Sequence, residues 1–62
     1  MFLKAIYQGD KRKCYVNGDF IVDAFPFLGN GEQILAYTYD NDRTGYIIDK
    51  EEWGKFINEE EE

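Results

Sequence analysis

Asp40, Asp42, Thr44, Gly45 and Glu51 stand at nearly the spacing of a calcium-binding loop, D-x-[DN]-x-[DN]-G-x₅-E. Such a loop wraps carboxylate and carbonyl oxygens around a hard cation. Asp40, Asp42, Thr44, the Tyr46 carbonyl and Glu51 would be its ligands. Two positions depart from the pattern. Thr44 offers one neutral oxygen where a carboxylate is usual, and Ile48 offers none at the ninth place. An entering helix would also have to form over residues 32–39, which are rich in β formers. The same stretch reads better as a hairpin, with two aromatic and β-branched strands around a polar tip at residues 40–43. The metal loop is therefore the alternative, and no resident metal or other cofactor is expected.

Other groups with chemical potential lack companions. Asp10, Asp19 and Asp23 could suggest paired carboxylates, but there is no His in the chain. Asp10 and Asp19 fall at turn signals, where Asp bonds its own backbone. Cys14 is the only cysteine, so no disulfide forms within the chain, no ordinary zinc site exists, and a thiol nucleophile would lack a base. The Gly29/Gly31 pair precedes a strand, not the helix that a phosphate loop requires. An enzyme is not expected.

The aromatic residues form the other candidate site. The chain has five Tyr, five Phe and one Trp. Tyr and Trp suit interfaces because they bury much area and keep a polar tip. Tyr7, Tyr37, Tyr39, Tyr46 and Trp53 are the expected protein-binding residues, with Tyr37, Tyr39 and Tyr46 sharing an exposed patch.

Short strands must position these groups. Residues 2–7 (FLKAIY) are apolar and too short for a confident helix, so they predict a strand with Leu3, Ala5 and Tyr7 on one face. Residues 13–16, 20–25, 34–39 and 44–48 predict four more. Asn17-Gly18 is a strong turn signal, because both residues tolerate positive φ. Pro26 lacks an amide donor, so it ends the third strand or sits on an edge. Asp49 and Glu52 make a capping pattern, and Trp53, Phe56 and Ile57 follow at helical spacing, so a short helix is expected near residues 50–58. The fold class is mainly β: a five-stranded antiparallel small barrel with a C-terminal helix. Residues 1–58 form one domain, and 59–62 an acidic frayed tail.

The order of these motifs resembles an SH3-like barrel. Ala5-Ile6-Tyr7 is similar to the start of that family's A-L-Y-D-Y strand. Asn17-Gly18-Asp19-Phe20-Ile21-Val22 resembles its G-D-x-I/L-x-V segment, and Asn41-Asp42-Arg43-Thr44-Gly45-Tyr46-Ile47 its distal turn and following strand. The resemblance spans roughly residues 3–57 and implies protein binding. The family's shelf for proline-rich peptides does not carry over. Gln8-Gly9 replaces its Asp-Tyr, Ile34-Leu35 its Trp pair and Ile48 its Pro, and the loop from 8 to 16 is short.

Sixty-two residues with a net charge of −6 narrow the role further. A chain this short buries only about 60% of its unfolded surface, so packing against a partner or a second copy would support it. A homodimer is compatible with that. Direct nucleic-acid binding is not expected, because phosphate contacts depend on Lys and Arg. No membrane span is expected, and the lone thiol suits a reducing, cytoplasmic location. The expectation is a non-enzymatic protein-interaction module, of the style of a phage or prophage accessory protein. Its partner would be a protein with a basic or DNA-binding surface. The rival function is inhibition by an acidic DNA mimic.

Overall fold

The computed structural model describes residues 1–27 and 31–60; the side chains of Asp42, Glu59 and Glu60 also lie outside the description. The elements are β1 (Phe2–Tyr7), β2 (Lys13–Asn17), a 3-10 turn (Gly18–Phe20), β3 (Ile21–Pro26), β4 (Gln33–Thr38), β5 (Asn41–Asp49) and α1 (Lys50–Glu60). The chain is mainly β, with five antiparallel strands in one sheet and one short C-terminal helix. The sheet order is β2-β1-β5-β4-β3. β1 pairs with β2, β3 with β4 and β4 with β5, and the last strand returns to pair with the first. No ladder joins β2 to β3 among the described residues, so these two are the sheet edges.

Register sorts the side chains onto two faces, because directly paired residues point the same way. Leu3 pairs with Val16, Ala5 with Cys14, Ile34 with Ile48 and Ala36 with Tyr46. These define an inner face that α1 covers. Leu3, Ala5, Val16, Ala36, Ile48 and Phe56 form its core, with Cys14, Ile21, Ala24, Tyr46 and Trp53 packed against them. Each fully buried large aliphatic, such as Leu3 or Ile48, contributes roughly 1.5–3 kcal/mol.

The helix is fixed to the sheet at two points. A Cβ added to Gly18 would lie only 2.4 Å from Cε1 and 2.8 Å from Cζ of Phe56, so the Phe56 ring rests directly on the bare glycine. Glu52 provides the second point. Its Oε2 accepts a hydrogen bond from the Lys4 backbone N–H at 3.1 Å. The β1–β5 ladder pairs only Ile6 with Ile47 and Tyr7 with Tyr46. Beyond it, β5 turns into α1, and Glu52 takes the Lys4 donor. The capping pattern predicts that Glu52 serves its own helix; the structure shows it reaching back to β1.

Three further expectations from the sequence are corrected. The chain does turn at Asn17-Gly18, but through a 3-10 turn and without positive φ. Asn17 has φ −76° and caps the 3-10 turn, its Oδ1 accepting from Asp19 N–H at 3.0 Å. Gly18 is required for space under Phe56, not for backbone freedom. The left-handed non-glycine residue is Lys11 (φ 61°), in the β1–β2 turn. The hairpin tip is also shorter than residues 40–43. Thr38 pairs with Asn41, leaving Tyr39 and Asp40 as the loop, and the register then shifts before Ala36 meets Tyr46. Helix α1 runs on to Glu60, past the expected end at residue 58. Of the loop expected after Phe27, Leu28, Gly29 and Asn30 lie outside the described residues, as do Glu61 and Glu62 of the tail.

Two glycine replacements should act in opposite directions. Gly18→Ala forces the Phe56 ring off its seat and should destabilise by about 1–3 kcal/mol. Gly54→Ala removes a helix-interior glycine whose added Cβ meets nothing within 4 Å. It should stabilise by roughly 0.5–1 kcal/mol, a rise in melting temperature of several degrees. Urea and thermal unfolding of both variants check the pair.

Candidate functional site

The expected aromatic site is dispersed by the fold. Tyr46 pairs with Ala36 and so faces inward, opposite in sense to Tyr37. Tyr37 shares the outer face with Phe25, ring centroids 5.8 Å apart. Tyr39 is exposed in the β4–β5 loop, edge-on to Phe20 at 5.0 Å. Trp53 is half-buried on α1 against Phe56, at 5.4 Å. Tyr37, Tyr39 and Tyr46 therefore do not form one patch. The reason lies in the β4–β5 register, which the short loop and the shift after Thr38 set and which alternation along a single strand does not reveal.

Tyr7 and Tyr46 instead form a polar-rimmed pair at the end of the inner face away from the Phe56 seat. Their rings lie 5.4 Å apart, and the Arg12 guanidinium sits 5.2 Å from the Tyr7 ring centre. Asn41 Nδ2 donates to the Tyr7 hydroxyl at 3.0 Å. Burial raises the Tyr46 pKa above its usual 10.0; the negative charges that Cys14, Asp40 and Tyr7 can carry add to this, and Arg12 opposes it.

The calcium-loop alternative is also corrected by geometry. Asn41–Asp49 is a strand, not a loop, and β4 stands where an entering helix would be. The regular part of β5 from Gly45 to Asp49 alone spans about 13 Å at the usual strand rise. That holds Asp40 and Glu51 apart, whereas calcium ligands all lie within about 2.6 Å of one ion. The Asp40 carboxylate is engaged locally, its Oδ1 accepting from the buried Thr38 hydroxyl at 2.6 Å. Asn41 Oδ1 accepts from the Arg43 and Thr44 amides, both at 3.4 Å. The Asp42 side chain lies outside the description. Among the described residues no three His, Cys, Asp or Glu side chains converge as a metal site.

The outer face carries what the aromatic reading missed. Lys13 pairs with Ile6, Ile6 with Ile47, Ile47 with Leu35 and Leu35 with Phe25. These pairs make one row across all five strands, with four apolar members side by side. Among the described residues no helix covers this face, yet Leu35 and Ile47 are only 6% and 7% exposed. Leu35 reaches that burial by lying across Gly45, where an added Cβ would stand 2.5 Å from Leu35 Cδ1. At the β3 end of the row Phe25 remains 42% exposed. At the β2 end a groove of about 470 Å³ opens over Ile6 and Ile47, lined by Lys4, Lys13, Tyr15 and Asp49. The sequence holds a signal for this row. Ile34-Leu35-Ala36 and Ile47-Ile48 are unbroken apolar runs, the mark of strands that bury both faces.

Comparison with known proteins returns no match, whether to a family model, a curated protein or a solved structure.

The raised Tyr46 pKa gives a pH prediction. With the folded value above the unfolded one, the neutral phenol's contribution is complete below pH 10 and is lost as pH rises through the folded value. Tyr46→Phe should therefore flatten the alkaline fall in melting temperature as pH rises above about 10, with the wild-type chain measured beside it.

Proposed function

We propose that this chain is a non-enzymatic protein-interaction module, built as an SH3-like small barrel and docking through the outer face of its sheet. The observation that carries this reading is the five-strand row of Lys13, Ile6, Ile47, Leu35 and Phe25. The helix already covers the inner face and completes one core. No helix of the described chain covers this side; Leu35 and Ile47 are already buried within the row, and its exposed end at Phe25, beside Tyr37, is where a partner would gain area. Five antiparallel strands, with the first paired to the last, agree with the SH3-like resemblance. The proline-peptide shelf of that family is not part of the proposal. Among the described residues no helix is long and apolar enough to cross a membrane.

A photo-crosslinking residue placed at Phe25 or Tyr37 should give a discrete protein adduct in the native cell, while the same residue at the exposed Lys55 of α1 should not. Phe25→Asp in a chain labelled at Tyr37 should abolish the adduct with little change in melting temperature. Equal adducts from Lys55, or none from the outer face, would remove this reading. A complex captured mainly from α1, and lost entirely as salt is raised, would instead favour the DNA-mimic alternative.

A further inference from the structure

We infer that the groove at the β2 edge takes an extended acidic peptide segment of a partner protein, added to the sheet as a sixth strand beside β2. The inference rests on the docking reading above and names the chemistry of its occupant. Three observations converge on it.

The first is the unfilled edge. Gly18 N–H donates to the Met1 carbonyl, and Tyr7 N–H to the Arg12 carbonyl. In an antiparallel ladder the direction of these groups alternates. The N–H and C=O groups of Lys13 and Tyr15 therefore point away from β1, toward the open side. The opposite edge is blunted by a register shift between Ile21 and Asp23 and by Pro26, which lacks a donor. β2 has neither device over its five residues. It is the edge able to accept a strand.

The second is the groove beside that edge. The residues with free backbone groups, Lys13 and Tyr15, also line it, together with Lys4, Ile6, Ile47 and one carboxylate, Asp49, set against the two lysines. Tyr15 is 66% exposed. A strand added to β2 would place alternate side chains over the outer face, next to this lining.

The third is charge. The β1–β2 hairpin, residues 2–17, carries Lys4, Lys11, Arg12 and Lys13 against Asp10 alone. The rest of this acidic chain has only Arg43, Lys50 and Lys55 as cations. Arg12 pairs with Asp10 at 3.6 Å. Among the described residues the ammonium groups of Lys4 and Lys13 have no ion-pair partner. The strand edge is thus the basic region of a molecule with a net charge of −6, and it complements carboxylates. A second copy would bring mostly negative surface too, but it would bring this same basic edge with it if the two edges met.

The test uses the full chain and two blocked nine-residue peptides, one alternating Glu with Val and the other Lys with Val. Amide spectra at moderate salt should show the Glu peptide shifting Lys13, Tyr15, Ile6 and Ile47. Hydrogen exchange at the Lys13 and Tyr15 amides should slow on binding. The Lys peptide should bind at least tenfold more weakly. The double variant Lys4→Glu/Lys13→Glu, its fold checked by thermal unfolding, should reverse that order. Equal binding of both peptides, shifts confined to β3 or α1, or indifference to the double variant would overturn the inference. So would concentration-dependent change at the β2 amides without peptide, which would mean that a second copy occupies the edge. If the peptide result fails while Phe25→Asp still abolishes the cellular adduct, the docking face stands and only its proposed occupant falls.

Discussion

The contact between the Phe56 ring and Gly18 decides the sidedness of this molecule. A five-stranded sheet of short strands has two faces and few residues with which to cover them. The chain supplies one helix. Phe56 fixes where that helix lies, because its ring fits only where the 3-10 turn presents a residue without a Cβ. Glu52 adds direction, holding the first turn of α1 to the β1 backbone. Once the helix is committed to the inner face, the outer face must hold its apolar row by itself. Leu35 folded over Gly45 is the means available to it. The two glycines therefore act alike: each admits a large side chain to a position that any Cβ would deny it.

Much of the architecture is legible in the residues. All five strands fall within a few positions of their expected bounds, because alternation in FLKAIY and the apolar runs near residues 34 and 47 are strong signals. The helix is legible from the i, i+3, i+4 spacing of Trp53, Phe56 and Ile57. What the sequence conceals is relational. Asn17-Gly18 has the composition of a hairpin turn, but the glycine answers a residue 38 positions later. Tyr37 and Tyr46 look like neighbours on facing strands, but the register sets them on opposite faces. The calcium-like spacing fails for a related reason: periodic carboxylates along an extended strand diverge, where the same spacing on a loop would converge.

The candidate docking face is less legible than the fold. Tyr and Trp, with their polar tips, are the residue types that mark an interface in a sequence. Several of them serve the inner face or its rim here, as Tyr7, Tyr46 and Trp53 do. The outer row is instead made of Ile, Leu and Phe, residue types normally assigned to a core, and of these Leu35 and Ile47 are buried while Phe25 is exposed. Only the balance between apolar faces and covering elements shows that one of the two faces must be left over.

The hydrogen bond from Lys4 to Glu52 spans 48 positions, and the ladder from β1 to β5 spans nearly as many. β1 consequently finds its central neighbour, and the lid over its inner side, only among residues 41–60. As residues emerge from a ribosome, the early hairpin must wait unpartnered on one flank while β3 and β4 assemble beside it. The β1–β5 ladder and the Lys4–Glu52 bond are thus long-range pairings, whose loop-closure cost is met before their contacts form.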